Sequence, residues 1–175
     1  MVQDLLNTRP IGEEADMLST GPRARRWAGH ATAAWAAQHP VTVEPPTLTD
    51  RDVVKLRSLR TTLEDWLSGA PPPAATRLPG TSQFITDGGG RVMWTPAGKG
   101  WQWMASALWG EMLSSQRAGT WPRLKLCRHP QCRSAFYDRS KNNSGVWHDV
   151  KVCGNAINLR ASRARRRASN GRDTG

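Results

Sequence analysis

All three cysteines of the chain, Cys127, Cys132 and Cys153, fall in one short stretch, and His148 stands five positions before the last of them. The spacing is C-x4-C, fifteen residues, then H-x4-C. Two donors one turn apart can face the same ion, and a structural zinc takes four such donors tetrahedrally, commonly three Cys and one His. Buried free thiols are the competing reading, since a free Cys behaves as a small hydrophobe. Here, however, the cysteines are flanked by Arg, Pro, Gln, Gly and Asn, which make poor core neighbours. One structural Zn²⁺ held by Cys127, Cys132, His148 and Cys153 is therefore expected. His129 is the other candidate for the fourth ligand, but it lies inside the first pair beside Pro130, and its ring would have to fold back over its own turn. His148 repeats the spacing of the first pair and is preferred.

Elements that would position these donors can be read around them. Ala135-Phe136-Tyr137-Asp138 and Gly145-Val146-Trp147 are expected to form the two strands of a hairpin. Arg139 to Ser144, containing Asn142-Asn143, would be its turn. After Cys153 a helix is expected to about Ala168, with Ile157, Ala161, Ala164 and Ala168 on one narrow apolar stripe. Arg160, Arg163 and Arg167 line an adjacent face, and Arg165 and Arg166 flank it. Guanidinium groups suit phosphate oxygens and guanine edges. Together with Arg139, Lys141 and Lys151 they form the expected nucleic-acid-binding set.

Charge follows the same division. Residues 1–120 hold 12 basic and 11 acidic side chains, whereas residues 121–175 hold 13 and 3, so the formal net charge of +11 belongs almost wholly to the last third. A polyanion partner, first of all nucleic acid, is the expected reading. No apolar run approaches the roughly 18–20 residues of a membrane span. The start, Met1-Val2-Gln3-Asp4, lacks a basic segment leading into an apolar one, so a secretory signal is not expected. The expected compartment is the cytoplasm, at the nucleoid if DNA is bound, with no membrane partner.

The first 120 residues are mainly helical by pattern. Ser19-Thr20-Gly21-Pro22 starts a helix that runs to about Gln38, with Trp27, Ala31, Ala34 and Trp35 on one face. Asp50 to Leu67 form a second, through Val53, Leu56, Leu59 or Arg60, Leu63, Trp66 and Leu67, ended by Gly69. Gln83–Thr86 and Arg91–Thr95 read as a β-hairpin around Asp87-Gly88-Gly89-Gly90. Gly100 to Arg117 form a third long helix, with Trp101, Met104, Ala105, Leu108, Trp109 and Met112 as its apolar stripe. Seven of the nine Trp lie in this part, and each aromatic can bury about 150–250 Å². None of the common catalytic or nucleotide-binding motifs is present.

These residues resemble a bacterial family that joins an N-terminal ABATE domain to a zinc finger named for a Cys-Gly-Asn-Arg motif. The resemblance rests on Asp4-Leu5-Leu6-Asn7-Thr8, on Cys127-x4-Cys132 followed by Phe136-Tyr137-Asp138, on Ser140-x-Asn142 and Trp147, and on Cys153-Gly154-Asn155 leading into Arg-rich sequence. Two positions depart from the family pattern. His148 stands where the family usually has Cys, which leaves three thiolates and Zn²⁺ with a net −1 instead of −2. Ala156 stands where the motif has Arg. The resemblance implies a stress-linked transcription regulator whose finger binds DNA.

The expected architecture is thus a mainly α domain with a β-hairpin over 1–120, a small treble-clef-like zinc finger over 121–168, and a disordered tail over 169–175. The expected function is zinc-dependent binding of duplex DNA, with residues 1–120 sensing a small-molecule effector or forming a homodimer. RNA binding and a purely structural or protein-interaction zinc module are the alternatives. Catalysis is not expected, because four ligands close a zinc site that chemistry would need open.

Overall fold

The computed structural model describes residues 1–10, 14–39 and 41–155. Four helices make the body: α1 (Val2–Leu6), α2 (Gly21–Ala36), α3 (Asp50–Leu67) and α4 (Trp101–Arg117). Two two-stranded antiparallel sheets accompany them, β1 (Thr81–Thr86) with β2 (Val92–Ala97), and β3 (Leu124–Leu126) with β4 (Ala135–Tyr137). A 3₁₀ turn at Trp121–Arg123 leads into β3, and a π-type turn spans Val150–Gly154.

Two of the helices, α2 and α3, begin at a capping side chain. Thr20 accepts from the Arg23 N–H at the start of α2, with Pro22 in the first turn. Thr49 and Asp52 form a reciprocal capping box on α3. Asp52 also accepts from the Trp101 N–H, so one carboxylate serves the N-termini of α3 and α4. Gly100 lies at φ +54°, and a Cβ there would meet that carboxylate at 2.9 Å, so the join between the hairpin and α4 needs glycine.

α4 is the centre of the body. Trp103 through Leu108 are buried consecutively, which is more than one stripe of a helix. The β1–β2 hairpin supplies the extra cover by lying across α4. Ser106 donates to the Thr81 carbonyl and meets the Ser82 hydroxyl at 3.1 Å. This corrects the expected stripe: Trp103 is core, whereas Trp101 and Trp109 are half-buried, because the pattern of one helix cannot show what a hairpin later covers. On α2 the buried line is Ala24, Ala28, Ala31, Thr32 and Trp35 with Trp27, and Ala34 is exposed. On α3 both Leu59 and Arg60 are buried, and Trp66 and Leu67 are half-buried at its end.

A buried cation holds the first segment in place. The Arg60 guanidinium reaches Asp16 with two bonds, at 2.7 and 2.9 Å, and the Thr8 hydroxyl at 2.7 Å. Burial would raise the Asp16 carboxyl, but Arg60 and the Leu18 N–H outweigh it and hold it below its ordinary value. The Asp4-Leu5-Leu6-Asn7-Thr8 motif acts on both sides of this anchor. Leu5 and Leu6 enter the core, and Thr8 meets Arg60. Asn7 makes a two-way amide pair with Ala135, donating to its carbonyl at 3.0 Å and accepting from its N–H at 2.8 Å. A side-chain amide thus imitates a neighbouring strand along β4 and ties the helical body to the cysteine-bearing segment.

The second hairpin differs from expectation. Ala135–Tyr137 pairs with Leu124–Leu126, ahead of the first cysteine, and not with Gly145–Trp147. The later segment gives one ladder-like bond, from the Arg128 N–H to the Val146 carbonyl at 3.0 Å. β3 already occupies the edge of β4, the Arg128 bond sets the later segment beside the residues that follow β3, and the Gly145 N–H goes to the Asp138 carboxylate at 2.6 Å instead of a strand partner. The expected helix to Ala168 and the tail over 169–175 lie outside the described residues, and with them the treble-clef-like reading. Among the described residues, no helix is long and apolar enough to cross a membrane.

Two stability tests follow. A Cβ at Gly110 would stand inside the Trp94 ring. Alanine favours a helix by about 0.5–1 kcal/mol over glycine, but overpacking costs about 1–3 kcal/mol, so Gly110→Ala should lower the melting temperature. Because the Asp16 carboxyl is held low in the folded chain, its contribution is present above the ordinary carboxyl value of about 3.9 and is lost as pH falls through the lower folded value. The melting-temperature gap between wild type and Asp16→Asn should therefore be open at pH 7 and narrow below about pH 4.

Candidate metal centre

Two turns deliver the four donors. The first is the knuckle between β3 and β4, closed by the Cys127 N–H to the Ser134 carbonyl at 2.8 Å and the Cys132 N–H to the His129 carbonyl at 3.0 Å. Arg133, at φ +52°, reverses the chain back into β4. The second is the Val150–Gly154 turn, capped by Asp149, whose carboxylate accepts from the Val152 N–H at 2.9 Å. The cap fixes the chain that carries Cys153, while His148 lies at a bend just before the cap residue.

The Sγ atoms of Cys127, Cys132 and Cys153 and a ring nitrogen of His148 all lie within 4.8 Å of one another. The His148 Nδ1 faces the sulfurs, 3.2 Å from Cys132 and 3.5 Å from Cys153. A tetrahedral ion with sulfurs at about 2.3 Å separates its ligands by roughly 3.8 Å, so this donor set fits zinc in number, type and spacing. Cys127 and Cys153 are buried, Cys132 is half-buried and His148 is exposed, so the centre is sealed by protein on the thiolate side.

The thiols differ in their readiness to ionise. At Cys132 burial acts to raise the thiol, but the Ser134 hydroxyl at 3.0 Å and N–H at 3.4 Å, with help from the other two cysteines, bring it below its ordinary value. Cys153 is pushed up to about 12, first by burial and then by Cys127 and Cys132. Three thiols this close share one thiolate readily and more only with a divalent cation among them.

A second polar knot stands behind the knuckle. The Lys125 ammonium donates to the Asp138 carboxylate at 2.7 Å, to the Asn143 carbonyl at 2.7 Å and to the Gly145 carbonyl at 3.1 Å. Lys125 and then Ser140 hold the Asp138 carboxyl far below the usual carboxylate range. Gly145 has no room for a side chain, since a Cβ would meet this carboxylate at 2.7 Å. Gly154 is tight as well, with a Cβ at 3.0 Å from the Trp147 ring. The residues Asp138, Ser140, Trp147 and Gly154 that carried the resemblance are therefore the packing and hydrogen-bonding frame of the metal turns.

With that geometry in view, a comparison with family models decides the class of the segment. Residues 123–166 match the CGNR zinc finger family. The match spans β3 through the cysteine that closes the site and extends beyond it. No curated protein matches the chain. Cys127, Cys132, His148 and Cys153 form a single zinc site within the CGNR finger. The imidazole supplies the fourth donor that the family usually takes from cysteine.

The remaining sequence-derived residues divide by location. Arg139, Lys141 and Lys151 are exposed on the finger and make no ion pair among the described residues. Arg160, Arg163, Arg165, Arg166 and Arg167 lie outside the described residues, as does Ala156. His129 is buried in the knuckle but is not one of the four clustered donors. Ser134, Lys125 and Asn7 are structural contributors that spacing alone does not flag, because each acts through residues distant in sequence or through the backbone.

The ligand set predicts a clear split between the two histidines. Zinc content per chain should fall well below one for His148→Ala and stay near one for His129→Ala, measured by elemental analysis after dialysis against a weak chelator. His148→Cys should retain the metal. Zinc retained by His148→Ala and lost by His129→Ala would reverse the assignment.

Proposed function

We propose that the CGNR finger is a DNA-binding element of a transcription regulator, with zinc ordering a surface whose positive charge meets the phosphate backbone. One observation carries this reading. Both carboxylates of the described finger are committed internally, Asp138 to Lys125, Ser140 and Gly145, and Asp149 to the cap of the Cys153 turn. Arg123 and Lys125 are likewise turned inward onto carbonyls. Arg128, Arg139, Lys141 and Lys151 are left on the surface without a carboxylate partner among the described residues. The sequence adds five arginines between 160 and 167. A surface charged in this way attracts phosphate, and base contacts would add sequence preference.

Zinc in this reading is structural. Four protein donors fill a tetrahedral shell, which leaves no position for a reacting water. Residues 1–120, with their ABATE-like Asp4–Thr8 segment, act as the regulatory body for an effector or for dimerisation. The Asn7–Ala135 pair gives that body a rigid hold on the finger.

Binding of zinc-loaded full-length chain to duplex DNA, followed by fluorescence anisotropy across a salt series, tests the proposal. With four or more phosphate contacts, affinity should fall roughly a hundredfold between about 50 and 200 mM salt. Replacing Arg139 and Lys141 together with Gln should flatten the logarithmic slope by about 2. Zinc removal should abolish binding. A flat salt response, or tighter binding to a structured RNA under the same conditions, would overturn the DNA assignment.

A further inference from the structure

One edge of the β1–β2 hairpin is left open. At the turn, Asp87 donates its N–H to the Arg91 carbonyl and accepts from the Gly90 N–H, which makes it a hydrogen-bonded position of the ladder. Counted in twos from there, Ile85, Gln83 and Thr81 direct their backbone groups to β2, and Thr86, Phe84 and Ser82 direct theirs outward. β1 has β2 as its strand neighbour, and no further backbone bond reaches Ser82, Phe84 or Thr86 among the described residues. We infer that this edge pairs with the same edge of a second copy of the chain, antiparallel about a two-fold axis at Phe84, to make a continuous four-stranded sheet.

The edge itself selects a strand as its occupant, because unpaired N–H and C=O groups recur along it at strand spacing. Edge strands are ordinarily protected by charge, proline or a bulge. β1, Thr81-Ser82-Gln83-Phe84-Ile85-Thr86, has no charge and no proline, and its register with β2 runs unbroken. Phe84 is 77% exposed although it stands on the α4 side of the sheet, where Ser82 meets Ser106 and the facing Trp94 covers Gly110. On the same side Val92 is 65% exposed, and Leu113, one turn past Gly110 on α4, is 56% exposed. The apolar surface and the open backbone edge therefore coincide.

Three features make a second copy the fitting strand. First, the edge complements itself. With Phe84 opposite its own counterpart, each Ser82 faces a Thr86, so every outward backbone group is paired, with an aromatic pair at the axis and hydroxyls beside it. Second, the pairing closes. The other edge of the hairpin belongs to β2, whose outward positions on the same alternation are Val92, Trp94 and Pro96. Pro96 has no N–H to give and is itself buried, so that edge does not recruit a further strand. A two-fold contact of like edges then ends at the dimer, whereas a hairpin open on both sides would build a filament. Third, charge permits it. Residues 1–120 hold 12 basic and 11 acidic side chains, so two bodies meet without the net repulsion that 13 against 3 sets between two fingers. The gain is general to sheets, since two strands alone are marginal and four with an apolar face are not.

The inference deepens the proposed role of residues 1–120 and rests on the dimerisation arm of that reading. The test uses zinc-loaded full-length chain without DNA. Sedimentation velocity across about 1–200 µM should reach twice the chain mass at the upper end. Amide hydrogen exchange should slow with rising concentration at Ser82, Phe84 and Thr86, and stay unchanged at Gln83 and Ile85, which β2 already protects. Phe84→Lys sets like charges at the axis and should weaken the dimer about tenfold or more. Thr86→Pro removes an outward N–H and spares the ladder to β2, and it should weaken the dimer similarly, with zinc content near one per chain in both variants. A chain that stays monomeric throughout the range would overturn the pairing and leave the edge to a strand of another protein. A dimer whose amide protection falls elsewhere, or that survives both substitutions, would overturn it as well. Tight, salt-dependent binding of duplex DNA by a monomeric chain would overturn the edge pairing alone. A dimer paired through β1 with no affinity for duplex would overturn the DNA-binding reading alone.

Discussion

Three thiols and an imidazole held within 4.8 Å of one another are unstable company without a cation. Burial and mutual proximity push Cys153 up to about 12, while Ser134 draws Cys132 down. A divalent ion resolves the conflict, since it favours every thiolate at once. The rest of the finger is arranged around that requirement. Its two strands are three residues each, and alone they would be marginal. The knuckle, the capped turn at Asp149 and the Trp147–Gly154 contact all serve to bring donors from two separate segments to one point.

A separate device keeps the finger in shape away from the metal. The Lys125–Asp138 pair, with Ser140, Asn143 and Gly145, is a small network of charge-assisted hydrogen bonds. It explains why the segment after β4 curls back and does not continue as a strand. It also consumes the acidic group that would otherwise offset the finger's surface charge. The same network thus sets both the backbone path and the surface charge that the proposed DNA binding would use.

The helical body contributes position. Arg60, buried with Asp16 and Thr8, fixes the segment after α1, and Asn7 on that segment bonds both backbone groups of Ala135. β3 lies against α3, and the 3₁₀ turn against α4. The finger is therefore seated on the body through apolar contact and a specific amide pair.

Much of this was legible in the chain itself, wherever the determinants are local. The bounds of α3, the start of α2 at Ser19–Pro22, the glycine-rich hairpin turn and the four metal donors follow from spacing and from the chemistry of neighbouring residues. Helical period and metal-ligand spacing are short-range rules, and they hold before the chain folds. Tertiary structure alone decided the rest. Strand β4 pairs backward with β3, and Asp138 takes the Gly145 N–H that a hairpin with the later segment would have used. α4 buries more than one face because the hairpin covers Ser106 and Gly110 while Trp103 meets Trp35 of α2 edge to face. Asn7 reaches a residue 128 positions away. Each of these depends on groups brought together by closure of long loops, and no local pattern records which carboxylate or amide will arrive.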